Sequence, residues 1–203
     1  MITLHKYEGK NVEDLIKESL KDLKVLETDI YYIDNEIEGG LFKGKKHCLE
    51  VITKEEIIKF IKDFLTELSN KMNFDIKSEI RINKDVINVT LVSDNNNILI
   101  GKDGKNLSAI QILIRQLFHD LFKFHFKIMV DASNYKARRM ENLEYSIKKT
   151  CNDVINTHIE VKLDPMNSYE RRIVHTIVSE FDALQSVSCG EGNERYTVIR
   201  YKD

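Results

Sequence analysis

The chain has 203 residues, of which 42% are apolar and 32% charged, enough hydrophobic material for packed cores and too much for a disordered polymer. Its net charge of −2 excludes a general polyanion sponge, because sequence-independent nucleic-acid affinity comes from many Lys and Arg contacts. No run of about 18 apolar residues occurs and the start lacks a signal-peptide core, so a cytoplasmic protein with no transmembrane segment is expected.

The acidic excess falls in the first 52 residues, which read as a β-α-β-β unit. Residues 2–8 suggest a strand, and Val12, Leu15, Ile16, Leu20 and Leu23 keep helical spacing. Strands follow from Ile30 to Ile37 and from Cys48 to Ile52, around the glycine-rich turn Gly39 to Lys46. In that turn Leu41 and Phe42 either pack locally or, in the case of Phe42, serve a partner.

Residues 53–132 follow a different order. Thr53 and Glu56 have the spacing of a capping box ahead of a helix reaching Met72. Two strands, Ile76 to Ile82 and Val86 to Val92, are joined by a tight turn at Asn83 to Asp85. After a short helical turn come Gly101-Lys102-Asp103-Gly104, a helix carrying Leu107, Ile110, Leu113, Ile114, Leu117 and Leu121, and a strand with Phe126, Ile128 and Val130. This is the element order of a type II KH domain with its Gly-x-x-Gly loop in place. Such a fold clamps about four single-stranded nucleotides. Glycines three apart let a sugar-phosphate strand approach the backbone, and the next helix N-terminus adds partial positive charge. Lys102 and Lys105 are then candidate phosphate ligands, with Ile98, Leu99, Ile100 and Leu107 lining the groove or packing beneath it. Asp103 places a carboxylate beside the phosphate track. A nucleotide-triphosphate loop fits poorly, since only two residues separate the glycines and Asn106 stands where Ser or Thr is needed.

From Ser133 a long polar helix runs towards His158, with Lys136, Arg138 and Arg139 in its first turns, where the helix dipole disfavours positive charge. The cluster is either a binding patch or a solvated face. Asn167 and Glu170 then have capping spacing for a helix on which Arg171, Arg172 and His175 follow. Arg171 and His175, four apart, share a face. They suit holding a phosphate and stacking on a base, or form an ordinary surface pair. Strands at Val187 to Ser188 and Arg195 to Tyr201 flank the turn Gly190 to Asn193. The fold class expected is α+β: three small modules at 1–52, 53–132 and 133–203, the last joined by the long helix. Cys48, Cys151 and Cys189 form neither a disulfide framework nor a zinc spacing. No cofactor, metal site or enzymatic activity is expected, there being no recognisable nucleophile-base arrangement.

Four motifs in order give this chain a family likeness: Gly40-Leu41-Phe42-Lys43-Gly44, the loop Gly101 to Gly104, Asp131-Ala132-Ser133-Asn134-Tyr135-Lys136-Ala137-Arg138-Arg139, and Pro165-Met166-Asn167-Ser168-Tyr169-Glu170-Arg171-Arg172 ending in His175. Together they resemble the Jag family, the bacterial proteins also called KhpB or EloR and encoded beside the membrane-protein insertase. The resemblance implies an N-terminal Jag domain, a type II KH domain and a C-terminal Arg-x-x-x-His domain. It further implies a cytoplasmic protein that binds single-stranded RNA, is linked to cell elongation and division, and pairs with a second small KH protein or with itself. The RNA-binding residues it implies are Ile100, Gly101, Lys102, Asp103, Gly104, Lys105, Lys136, Arg138, Arg139, Arg171, Arg172 and His175. The alternative reading is an interaction or dimerisation adaptor near the insertase, with RNA secondary. Two departures stand out: Val51 to Thr53 runs into the KH helix where many members carry a charged linker, and Asp103 and Ser168 replace residues commonly basic and proline.

Overall fold

The computed structural model describes residues 4–37, 46–122 and 124–202. Among these residues it is an α+β fold with three three-stranded sheets, divided into two compact units, Met1–Ser133 and Asn134–Asp203. The expected Gly40 to Gly44 turn lies outside the described residues.

The first unit holds two sheets. In the first, β1 (His5–Gly9), β2 (Ile30–Ile37) and β3 (Lys46–Thr53) pair antiparallel with β3 central, and α1 (Val12–Leu23) covers one face. Side chains alternate across a strand, so Leu49 and Val51 meet Leu15 of α1, while Cys48 and Ile52, also buried, point the other way. Thr53 ends β3 and caps α2 (Lys54–Met72) with no intervening residue. The expected capping box is present: the Glu56 amide donates to Thr53 Oγ1 at 3.2 Å, and the Thr53 amide donates to Glu56 Oε2 at 2.9 Å.

The other Glu56 oxygen lies 2.7 Å from His5 Nε2 of β1. Burial pushes the Glu56 carboxyl up, but the Thr53 amide and the His5 ring outweigh it and hold the group below its ordinary value of 4.5. A carboxyl lowered by folding stabilises the folded state above its unfolded value, and the contribution is lost as pH falls through the folded value. Glu56→Gln should therefore be less stable than wild type at neutral pH, and the gap should close as pH drops below 4.5. Urea unfolding followed by circular dichroism across that range checks it; a gap that persists in acid would assign the loss to geometry instead of charge.

The second sheet has the order β4-β5-β6, with β4 (Lys77–Asn83) antiparallel and β6 (Lys127–Ala132) parallel to β5 (Val86–Val92). Parallel neighbours need a long crossover. Here it consists of α3 (Asn96–Ile100), the glycine loop and α4 (Lys105–Phe122). Ile57, Ile61 and Leu65 of α2, Leu107, Ile110 and Ile114 of α4 and Ile87, Val89 and Leu91 of β5 are all buried. The two sheets of this unit meet through Tyr31: its ring packs edge-on against Phe126 at 4.8 Å, and its hydroxyl donates to the Lys84 carbonyl.

In the second unit α5 (Tyr135–Thr157) and α6 (Ser168–Val178) pack on an antiparallel sheet ordered β7-β9-β8. The strands are β7 (Val161–Lys162), β8 (Leu184–Cys189) and β9 (Tyr196–Tyr201). Ile147, Cys151, Val154, Val174, Ile177, Val178, Leu184 and Ile199 make its core.

Candidate nucleic-acid interface

The glycine loop is a strained turn held by its own backbone. Gly101 has φ 72° and ψ 176°, a combination open essentially to glycine alone. Gly104 has φ 76° and is buried. Between them Asp103 adopts a left-handed conformation at φ 55° and ψ 24°, which aspartate tolerates better than most side chains. The amides of Gly101, Gly104 and Lys105 donate to the carbonyls of Asn97, Gly101 and Lys102. Those amides therefore shape the loop, and the surface it presents is Gly101 with the exposed Lys102, Asp103 and Lys105.

The apolar residues around the loop divide by exposure. Leu99, Ile100 and Leu107 are buried and support the loop from beneath, while Ile98 is 51% exposed beside it. Ile100, expected among the binding residues, is thus placed under the loop instead of on its surface. Asn106, whose type argues in the sequence only against a nucleotide-triphosphate loop, has a structural role here. Its side-chain amide donates to the Ile98 carbonyl at 2.8 Å, tying the start of α4 to the end of α3. It also fills the space into which a Gly101 Cβ would point.

In the second unit, one face of α6 borders an open cleft of about 460 Å³. Ser168, Arg171, Arg172, His175, Thr176 and Ser179 line it from the helix and its end, and Ser188 of β8 and Arg195, just ahead of β9, line the other side. The Asn167 side chain accepts from the amides of Tyr169 and Glu170, and the Glu170 carboxylate accepts from the Asn167 amide at 3.1 Å, completing the expected capping box. The helix N-terminus and its arginines are thereby fixed together. Arg171 Nη1 donates to the Met166 carbonyl at 2.8 Å.

His175 has both ring nitrogens engaged, Nδ1 with Ser186 Oγ at 2.7 Å and Nε2 with Ser188 Oγ at 2.8 Å. These serines follow Leu184 at two-residue spacing and so share the helix-facing side of β8. His175 lines the cleft as a ring clamped to the sheet.

The basic cluster at the start of α5 separates into two behaviours. Arg139 Nε donates to Glu170 Oε1 at 2.5 Å, and Nη1 donates to the Tyr135 hydroxyl at 2.9 Å. The Glu170 side chain is only 4% exposed. Arg139 thus neutralises the carboxylate that caps α6. Lys136 and Arg138 are exposed on the helix surface, and neither lines the cleft. Among the described residues, no group of three or more His, Cys, Asp or Glu side chains could hold a metal ion, and no helix is long and apolar enough to cross a membrane.

Comparison with known proteins matches these two regions separately. A model of the KH domain of KhpA/KhpB covers residues 58–129, and a model of the Arg-x-x-x-His domain covers residues 140–201. RNA-binding protein KhpB of Clostridium symbiosum is 30% identical over 200 residues, spanning 96% of this chain and 90% of the relative. The chain belongs to the KhpB family. RNA-binding protein KhpB of Bacillus subtilis strain 168 is 27% identical over 201 residues, with 96% of each chain covered. The KhpB of Streptococcus pneumoniae D39 is 26% identical over 145 residues, 71% of this chain and 44% of the relative. In this chain the glycine loop falls inside the KH match and the α6 cleft inside the Arg-x-x-x-His match, whereas Lys136, Arg138 and Arg139 precede the latter.

Proposed function

We propose that this chain is a non-enzymatic, cytoplasmic RNA-binding regulator that engages single strands at two places, the Gly101 to Lys105 loop and the α6 cleft. The observation that carries the reading is the cleft itself, where Arg171 and Arg172 face open space beside a capped helix N-terminus. That combination of guanidinium donors and helix dipole suits a phosphate. The glycine loop supports it with two exposed lysines on backbone that a strand can approach closely. Two sites of moderate affinity on one polypeptide reinforce each other through effective concentration, which reconciles RNA binding with a net charge of −2. The names of the relatives point the same way. A role in cell elongation and division, and pairing with a second small KH protein, rest on the family resemblance.

The test is fluorescence anisotropy of a mixed-sequence single-stranded RNA with the full chain. Lys102→Asp combined with Arg171→Ala should weaken binding by about tenfold or more at moderate salt, with each single variant intermediate. Unchanged affinity in the double variant would discard the reading.

A further inference from the structure

We propose that Arg195 is a direct phosphodiester ligand, closing the α6 cleft from the side opposite Arg171 and Arg172 so that a single-stranded polynucleotide passes between helix and sheet. The proposal rests on the reading that the cleft binds RNA and adds to it a residue outside the Arg-x-x-x-His motif, 24 positions beyond Arg171 in the sequence.

Arg195 is tied to Arg171 through a single residue. The Met166 amide donates to the Arg195 carbonyl at 3.0 Å, and the Met166 carbonyl accepts from Arg171 Nη1 at 2.8 Å. The loop before α6 thus sets the spacing between the two walls, and Arg195 makes its tie through its backbone carbonyl and is exposed where it lines the cleft.

The donors available to an anion there are chiefly guanidiniums. The Thr176 hydroxyl donates to the Arg172 carbonyl and the Ser179 hydroxyl to the Thr176 carbonyl. Ser188 is engaged by His175. Arg171 gives one N–H to Met166 and keeps the remainder of its five donors. Three arginines line the cleft, and among the described residues no acidic residue does. Like charges gathered without a counter-charge repel one another, and a bound phosphate removes that repulsion. A phosphodiester is the polynucleotide group with that charge and fork-matching oxygen geometry.

The experiment is the salt dependence of anisotropy for a single-stranded RNA bound to the full chain carrying Arg195→Gln, Arg195→Lys, Arg171→Gln or Arg200→Gln, with thermal unfolding as a fold control. Each phosphate contact on a single strand contributes about 0.7 to the slope of log affinity against log salt. Arg195→Gln should lower that slope by about 0.7 and affinity several-fold. Arg195→Lys should keep the slope with weaker binding, since it retains the charge without the planar fork. Arg200→Gln, the same charge change on an exposed residue of β9, should match wild type. If Arg171→Gln weakens binding and Arg195→Gln does not, the role of Arg195 is overturned and the cleft reading stands. If neither does, the cleft reading fails as well. A fall in affinity at unchanged slope also overturns the proposal, because a lost ionic contact must alter the slope.

Discussion

Replacing Arg139 with alanine should destabilise residues 134–203 by about 3 kcal/mol, among the largest costs of any single substitution in the chain. The expected loss comes from what remains behind. Glu170 is 4% exposed at its side chain and would be left in that place without the guanidinium 2.5 Å away, and breaking a buried pair by removing one partner costs far more than a surface pair is worth. Glu170 also caps α6, so the helix bearing Arg171 and Arg172 loosens at its first turn. Cys151 has no exposed surface in the core of this unit, and its trapping by a thiol reagent, read by peptide mass spectrometry on the full chain, reports opening. About 3 kcal/mol corresponds to trapping roughly 100-fold faster when reclosing outpaces labelling. Adding Glu170→Gln to Arg139→Ala should recover part of the loss, because a neutral amide can still cap the helix. A trapping rate unmoved by Arg139→Ala would show that the pair contributes nothing and return Arg139 to the candidate RNA ligands.

Gly101→Ala should abolish the contribution of the glycine loop to RNA binding, lowering affinity by about tenfold. Two obstacles act together. At φ 72° and ψ 176° the backbone occupies a region that costs a residue with a side chain on the order of 1 to 3 kcal/mol. The new methyl would also stand 2.6 Å from Asn106 Cγ, closer than real carbon atoms approach. The loop must therefore rotate away from its present course or push Asn106 off the Ile98 carbonyl, and either change moves Lys102 relative to α3. Adding Asn106→Ala removes the collision and leaves the dihedral cost, so the double variant should not regain wild-type affinity. Anisotropy with single-stranded RNA separates the cases: full recovery in the double variant would mean that crowding alone fixed the loop.

What the sequence made legible was local in origin. The capping boxes at Thr53 and Asn167 lie within four residues of chain and are both present. The loop with its flanking helices could be read from glycine spacing and apolar period. Less visible was whatever depends on pairing between distant segments. The strand β7 has two residues, too few for any period to show, and exists because β9 offers it an edge. Strand β8 starts at Leu184, ahead of the expected Val187, because Gln185 and Ser186 pair with Arg200 and Ile199 despite their polarity. Serines on an inward face suggest a surface strand until His175 is seen opposite them. Arg139 looked like part of a basic patch because its partner lies 31 positions away. Arg195 gave no signal at all, since only the turn before β9 brings it to the cleft.

The two serines on His175 have a consequence for how the cleft is built. A hydroxyl hydrogen rotates freely and its oxygen both gives and takes hydrogen bonds, so Ser186 and Ser188 can satisfy the imidazole in either tautomer. The ring is gripped at both nitrogens by one strand, and it serves as a rivet between α6 and β8. The helix that carries Arg171 and Arg172 is thereby fastened to the sheet at the wall of the cleft itself, so its arginines are set in place before any ligand arrives.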